Sequence, residues 1–479
     1  MAASGCTAPF GPGYTIEKQR IEITYSLDAP DHIIVRGWYR VKNTGKRPLE
    51  EMALQFPPER ELAPQNIRAE WGGKPLASPP APDEKGIVHV PLGARWSIGD
   101  RGEFSVSYDL ETPVVKPAAS SQSGAAIFLS PSGWYPVLMA PRGTFSSGGK
   151  PPLKWDLVVT MPRGYLVHAS GQGRGFNRTG AKGVASDSLR FEQVPLTDFS
   201  PFVVAGPFVE QTMKSANGTV VFWTSHSVAA ARAHEIGEQV ATDAAYFNIE
   251  FGPDPNEKQT TWMIECADGS PGSTQRPWLS RKGCLTVPHS AIVPSDVFSF
   301  DAPAAFRESV DAQLVTGLIG LSHPVLPEDP AFPISYAGDY AVFAYASAHD
   351  PASRAATVRD LLKRFDANQL AVAKPLLRVG NDDSEEVRRR ARVQSQLFFV
   401  ALEDRCGVAN LHHALARALR ILRGQTWDID DLRSAAEAEC GTDLADFFRQ
   451  WLNRPNIPED FRAKYAHAPT ATSKQPGQK

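Results

Sequence analysis

From Tyr14 to about Glu210 apolar positions recur at every second residue. The segments TIEKQRIEITYSL, HIIVRGWYRVKN, GIVHVPL, GEFSVSYDL and LKWDLVVTMP alternate or run β-branched and aromatic, with Gly, Pro and Asn-Thr-Gly between them. A period of two places alternate side chains on one strand face, so this half predicts an all-β, sandwich-like domain. The Pro-rich piece 79–82 and the Ser/Gly stretches 119–124 and 145–149 predict loops. After Phe208 the period changes. TVVFWTS predicts a strand, AAARAHEIGEQVATDAAYF a helix, and the second half of FGPDPNEKQTTWMIE another strand. From Ala304 onward helical spacing dominates. FRESVDAQLVTGLIGLSH is apolar at Phe306, Val310, Leu314 and Leu318, one turn apart, which predicts a buried helix face. ISYAGDYAVFAYASA, TVRDLLKRFDANQ, SEEVRRRARVQSQLFFVALEDR, LHHALARALRIL, DDLRSAAEAE and DLADFFRQWL follow as further helices. The expectation is a multidomain α+β chain: an N-terminal β-sandwich over 14–210, a mainly α domain with a small β portion over 211–465, and a polar, disordered tail over 466–479.

Size and charge narrow the function classes. With 479 residues the chain holds two or three domains and buries roughly three quarters of its unfolded surface. Lys and Arg number 50 against 53 Asp and Glu, a net charge of -3, so there is no field to attract nucleic acid or anionic lipid. The one basic run, Arg388 to Arg392, follows Glu385 and Glu386 at helical spacing and predicts a solvated, ion-paired helix face. No run of 18 apolar residues is present, so no transmembrane segment is expected.

The cysteines bear on compartment. Cys406 and Cys440 each precede a glycine at predicted helix ends, with one helix of about 410–423 between them; up, down and up returns both thiols to the same end. Cys266 and Cys284 flank a Gly/Pro/Ser-rich loop whose base a bridge would clamp. Two such pairs fit an oxidising compartment, and the alternative is four buried thiols in the cytosol. MAASGCTAPF has no apolar signal core, yet Ala3-Ser4-Gly5-Cys6 resembles the tail of a bacterial lipoprotein signal trimmed of its apolar part. The expectation is an exported protein, periplasmic or extracellular of a bacterium, with a lipid anchor at Cys6 if the signal was trimmed.

Several segments in order resemble one known family. RVKNTGKRPLEEMALQFP resembles the opening β-sandwich of the M1 zinc aminopeptidases, and TDFSPFVVAGPF, ending at Phe208, resembles its closing strand. Tyr246-Phe247 followed by Phe251-Gly252-Pro253-Asp254-Pro255 resembles the family's FG-x-x-P step. Gly441-Thr442-Asp443-Leu444 with Phe447, Phe448, Trp451 and Pro458 resembles its terminal motif. The resemblance covers residues 15 to about 460 and implies a saddle-like β domain followed by a thermolysin-like domain with the gluzincin fold.

It also implies where the chemistry would sit. A zinc peptidase of this layout carries H-E-x-x-H on one helix and a glutamate on the next, leaving one open position for water. Aligning the glycine after the third ligand on Gly338 puts the metal ligands at Leu314, Leu318 and Ala337 and the general base at Val315. No two histidines are spaced His-x-x-x-His anywhere in the chain. The family's amine-binding G-x-M-E-N loop falls at Gly283-Cys284-Leu285-Thr286-Val287, without a carboxylate. Its oxyanion-stabilising tyrosine falls near Ala391 or Arg392. Leucine offers no lone pair and valine takes no proton, so the site reads as vestigial, with no catalytic residue and no cofactor.

Other chemistry-bearing residues read as structural. His234-Glu235-x-x-Glu238 mimics half of a metalloprotease motif, but as a solvated helix surface. His412 and His413 point about 100° apart on a helix and do not chelate jointly. Asp428-Ile429-Asp430-Asp431 caps a helix. Tyr336, Tyr340 and Tyr345 read as core or cleft wall, and the N-x-T triplets at Asn177 and Asn217 carry little without the host. The leading expectation is a catalytically inactive M1-like protein, an exported subunit that binds a peptide or protein partner or joins a larger assembly. The alternative is a divergent aminopeptidase or peptide hydrolase using non-standard residues such as Glu308, Asp311 and Asp339 in the same cleft.

Overall fold

The computed structural model describes residues 13–29, 32–56, 64–77, 87–111, 126–129, 134–135, 137–139, 155–179, 186–192, 202–252, 260–266, 290–294, 298, 310–311, 314, 337–368, 373–379, 383–421 and 429–466. The tail after Ala466 and Cys6 lie outside them.

Strands Tyr14–Tyr25 and His32–Asn43 show the period of two directly: Ile21, Ile23, Ile33, Val35, Tyr39 and Val41 are buried, while Arg20, Thr24, Arg36 and Arg40 face solvent. They form the middle of an eight-stranded sheet, spatially Gln172–Thr179, Ser186–Glu192, Trp155–Pro162, Tyr14–Tyr25, His32–Asn43, Arg101–Glu111, Gln65–Trp71 and Lys74–Pro75. Its pairing is antiparallel except where Tyr14–Tyr25 lies parallel to Trp155–Pro162. Two three-stranded sheets oppose it. One is Ile87–Trp96, Leu49–Gln55 and Val137–Met139; the other is Leu166–Ala169, Val203–Gly206 and Ile127–Leu129. A single apolar core drawn from all three sheets fills the space between, as in a sandwich.

The following region opens with a four-stranded sheet, Val209–Lys214, Thr219–Thr224, Thr260–Cys266 and Ser290–Pro294, parallel after its first pair. Helix α1, Ala230–Phe251, forms the crossover that two adjacent parallel strands require, burying Ala233, Ile236, Val240, Ala244, Phe247 and Phe251 at helical spacing. Val310, Asp311 and Leu314 are helical. Then come α2, Ala337–His349; α3, Arg354–Ala367; α4, Glu385–Cys406; α5, Val408–Ile421; α6, Ile429–Cys440; α7, Ala445–Leu452; and α8, Glu459–Ala466. Ser384 caps α4 by accepting from the Val387 N–H at 3.4 Å. Farther along, Leu397, Phe398, Phe399, Val400 and Leu402 are all fully buried, so over this stretch α4 is enclosed on every side and forms the spine of this region.

Cys406 and Cys440 are joined by a disulfide with Cα atoms 5.0 Å apart, tying the C-terminal ends of α4 and α6. Gly407 and Gly441 follow them at φ +85° and +65°, positive values that a Cβ disfavours and at which both helices end. The Cys284 partner proposed for Cys266 lies outside the described residues. The solvated basic face expected at Arg388 to Arg392 is corrected at Arg390, which is 8% exposed and lies 3.9 Å over the Phe365 ring. It donates to the Phe365 and Asn368 carbonyls at the end of α3. Its flat guanidinium suits a ring face and two carbonyls, a fit that charge spacing does not reveal. Among the described residues no helix is long and apolar enough to cross a membrane.

Candidate functional site

The site implied by the resemblance lies at the start of α2. Ala337 is 0% exposed and Leu314 5%, and both belong to one apolar core with Val310, Tyr340, Ala341 and Ala344. Small residues at 337, 341 and 344 repeat at helical spacing, which lets neighbouring elements approach α2 closely. Leu318 and Val315 lie outside the described residues, as do Glu308, Tyr336, Asp428 and the segment Gly283 to Val287.

One turn beyond Ala337 the core becomes polar. The Tyr340 hydroxyl donates to Glu403 Oε2 at 2.9 Å, and Arg354 Nη1 meets Glu403 Oε1 at 2.9 Å. Arg354 Nη2 continues to Asp404 Oδ1 at 3.2 Å, and the Tyr465 hydroxyl and Lys464 Nζ both reach Asp404 Oδ2 at 2.8 Å. This chain of charge-assisted bonds ties α2, α3, α4 and α8 together. Burial, with the adjacent Glu403 carboxylate, pushes the Tyr340 phenol well above its ordinary value, so it stays a donor. Burial pulls the Arg354 guanidinium down, but Glu403, Tyr465 and Asp404 outweigh it and the net direction is up.

The remaining candidates are committed elsewhere. Asp339 takes two 2.6 Å bonds from Arg392, whose side chain is largely exposed, and its carbonyl accepts from Gln396 Nε2 at 3.2 Å. Ala391 is buried, and its carbonyl accepts from Ser395 Oγ at 2.8 Å. The Tyr345 hydroxyl donates to Asp243, which also accepts from Gln239 Nε2 at 2.7 Å. Asp311 is buried beside Val310. His412, 2% exposed, donates through Nδ1 to Glu250 Oε2 at 2.6 Å and packs 4.5 Å from the Phe251 ring, while His413 faces solvent. His234 is exposed; Glu235 pairs with Arg232 and Glu238 accepts from Ser215 Oγ, the helix-surface role expected of them. Asn217 sits in the turn before Thr219, donating to Thr242 Oγ1 at 3.2 Å, and Asn177 lies in the strand Gln172–Thr179.

Sequence reasoning overlooked Glu403 and Arg354. The available signal was Glu403-Asp404 placed directly after six consecutive apolar residues of a helix that has no apolar stripe to spare.

Solved structures share this fold. A single-site mutant of the M1 zinc metallopeptidase from Deinococcus radiodurans superposes with a TM-score of 0.60 at 16% identity, over 94% of this chain and 97% of that one. A mutant of the Deinococcus radiodurans enzyme bound to a Tyr-Ser-Ala substrate gives 0.60 at 17%, over 93% and 96%. A two-domain M1 zinc metallopeptidase mutant bound to L-arginine gives 0.60 at 16%, over 94% and 96%. No family model matches the sequence, and no curated protein does. The chain therefore has the two-domain fold of M1 zinc metallopeptidases.

That fold implies zinc, and the described residues do not fit it. Leu314 and Ala337 carry no donor atom and lie packed in an apolar core. Among the described residues no group of three or more His, Cys, Asp or Glu stands close enough to hold a metal ion.

Proposed function

We propose that this protein is a catalytically inactive M1 aminopeptidase-like protein that acts as an exported binding or assembly subunit. The observation that carries the reading is the burial of Leu314 and Ala337 in one apolar core, at positions to which the resemblance assigns metal ligands. Val315 and Leu318, at the base and the remaining ligand position, are likewise without donors. Hydrolysis at neutral pH needs a polarised carbonyl, an activated water and a proton acceptor, and these side chains supply none. The retained two-domain scaffold then serves recognition, with a peptide or a protein segment as the partner class; related folds have been crystallised with L-arginine and with a Tyr-Ser-Ala substrate. Export is supported by the Cys406–Cys440 bridge, because disulfides persist in oxidising compartments.

The reading as a divergent peptide hydrolase rests on Glu308, Asp311 and Asp339. Of these, Asp339 is engaged by Arg392 and Asp311 is buried. The deciding measurement is metal content of the purified protein together with turnover of aminoacyl and peptide substrates. No stoichiometric zinc and no turnover are expected; tightly bound zinc with activity lost to a chelator would overturn the proposal.

A further inference from the structure

The sheets of this protein end in edges of different kinds. In the large sheet of the β-rich half the edge strand Gln172–Thr179 carries a bulge between Gly173 and Gly175, and the opposite edge, Lys74–Pro75, is a two-residue strand that includes a proline. Bulges, prolines and very short strands keep an edge from pairing with another chain. The four-stranded sheet of the helical half lacks such devices on one side. Its first strand, Val209–Lys214, pairs with Thr219–Thr224 in unbroken register, holds neither Gly nor Pro, and among the described residues has no strand along its other side. At the hairpin end the Ser215 N–H donates to the Gly218 carbonyl at 2.8 Å. Counting back from that bonded pair, Met213, Gln211 and Val209 turn their backbone groups toward Thr219–Thr224, while Lys214, Thr212 and Glu210 turn theirs outward. The side chains of Lys214, Thr212 and Glu210 are exposed as well.

We infer that this edge pairs with itself: two copies of the chain join antiparallel along Val209–Lys214, about a two-fold axis at Thr212, and their four-stranded sheets become one. Such a contact is isologous, so the strand must complement its own reversed copy. It does. With Thr212 opposite Thr212 of the partner subunit, Glu210 faces the partner's Lys214 and Lys214 faces the partner's Glu210. The same register sets each outward-turned residue against another, so each of these pairs exchanges both of its backbone hydrogen bonds. Opposite charges directly across, and Thr against Thr, are favourable cross-strand pairs. The other registers that keep outward-turned residues opposed either lose the charge pairs or set like charge on like. Glu210 accepts from Trp223 Nε1 through Oε2 at 3.0 Å, which leaves Oε1 for the lysine. Behind the strand α1 holds the hairpin in place, with Ser215 Oγ donating to Glu238 at 2.8 Å, so little ordering is needed on association. The inference does not rest on the proposed loss of catalysis.

The test is analytical ultracentrifugation of the full chain as wild type, as Lys214→Glu and as the double variant Glu210→Lys with Lys214→Glu, each checked for native circular dichroism. The wild type is expected to pass from monomer to dimer below about 100 μM. Lys214→Glu sets like charges across both ends of the ladder and should weaken the dimer about tenfold or more, and the charge-swapped double variant should recover most of that loss. A wild type that stays monomeric throughout this range overturns the proposal, as does a dimer indifferent to Lys214→Glu or a folded double variant that recovers nothing. Because Glu210→Lys also removes the bond to Trp223, Thr212→Cys decides in its place if the double variant does not fold. That substitution puts a thiol on the axis, opposite its own copy at a spacing a disulfide spans. Mild oxidation should join it into a covalent dimer under conditions that leave the wild type, with its 5 cysteines, unlinked; failure to cross-link overturns the proposal.

Discussion

The two halves of this protein treat charge in opposite ways. In the β-rich half ion pairs lie across the solvent face of the large sheet. Arg40 meets Glu103 at 3.0 Å, Arg101 meets Glu17 at 2.9 Å, and Arg190 meets Asp156 at 2.9 Å, each arginine being about half exposed or more. In the helical half Glu403 is 5% exposed and holds Arg354 and Tyr340, and Arg390 is buried as well. A strand in a sandwich has one wet face by construction, so its charged residues stay in water. A helix packed all round has none, and its charges persist only by pairing. The ion pairs on the solvent face of the large sheet are therefore nearly dispensable, as are exposed helical pairs such as Arg449–Asp446, while the Arg354–Glu403 pair is structural.

The sharpest way to break this contrast is Arg354→Met, which strands Glu403 without its cation. Stability to denaturant is expected to fall by about 3–5 kcal/mol; a loss under about 1 kcal/mol, typical of a surface pair, would remove the distinction. Leu314→Ala comes next, with an expected cost of about 2–4 kcal/mol if the packed seam is as tight as its burial implies. A near-neutral result in the same unfolding assay would mean that the position is loosely packed and that metal-ligand geometry there is open to reconstruction.

A third measurement follows circular dichroism and phenolate absorbance upward in pH. Burial, followed by Glu250 and Glu403, raises Tyr246 from 10.0 to about 12. The protonated phenol is the form that suits the native state. Its stabilisation is complete below about pH 10 and disappears as pH rises through about 12. Tyr340 and Tyr465, raised by burial and by their carboxylate partners, extend the loss to higher pH. Tyr14, Tyr39 and Tyr108 of the β-rich half are raised by burial as well, so the helical and β signals should be lost together as pH rises above about 10, and loss of one well before the other would contradict this. The smallest expected effect is that of Arg40→Ala, about 0–1 kcal/mol and diminished by salt, read by the same denaturant titration.

Legibility in the sequence followed the same divide. Strands with clean alternation, such as TIEKQRIEITY and HIIVRGWYRV, announce themselves. Gln172–Thr179, rich in glycine and arginine, and the two-residue strand Lys74–Pro75 do not, because their pairing comes from neighbours and not from their own pattern. The helices were legible from apolar spacing and from the glycines that end α4 and α6. At the candidate site the absence of donors at Leu314 and Ala337 was readable from residue type, since no fold gives a leucine a lone pair.

The strongly alternating strands, most of the helices, the change of period after Phe208 and the donor-poor chemistry of 314, 315, 318 and 337 were thus properties of the linear chain. Which charges are buried belonged to the tertiary structure. Arg390 and the Phe365 carbonyl it meets are 25 residues apart, and Tyr340 and Glu403 are 63 apart. Burial of a charge depends on partners brought from distant segments, and local periodicity carries no information about which segments meet. The placement of the Arg390 guanidinium over the Phe365 ring was decided in the same way.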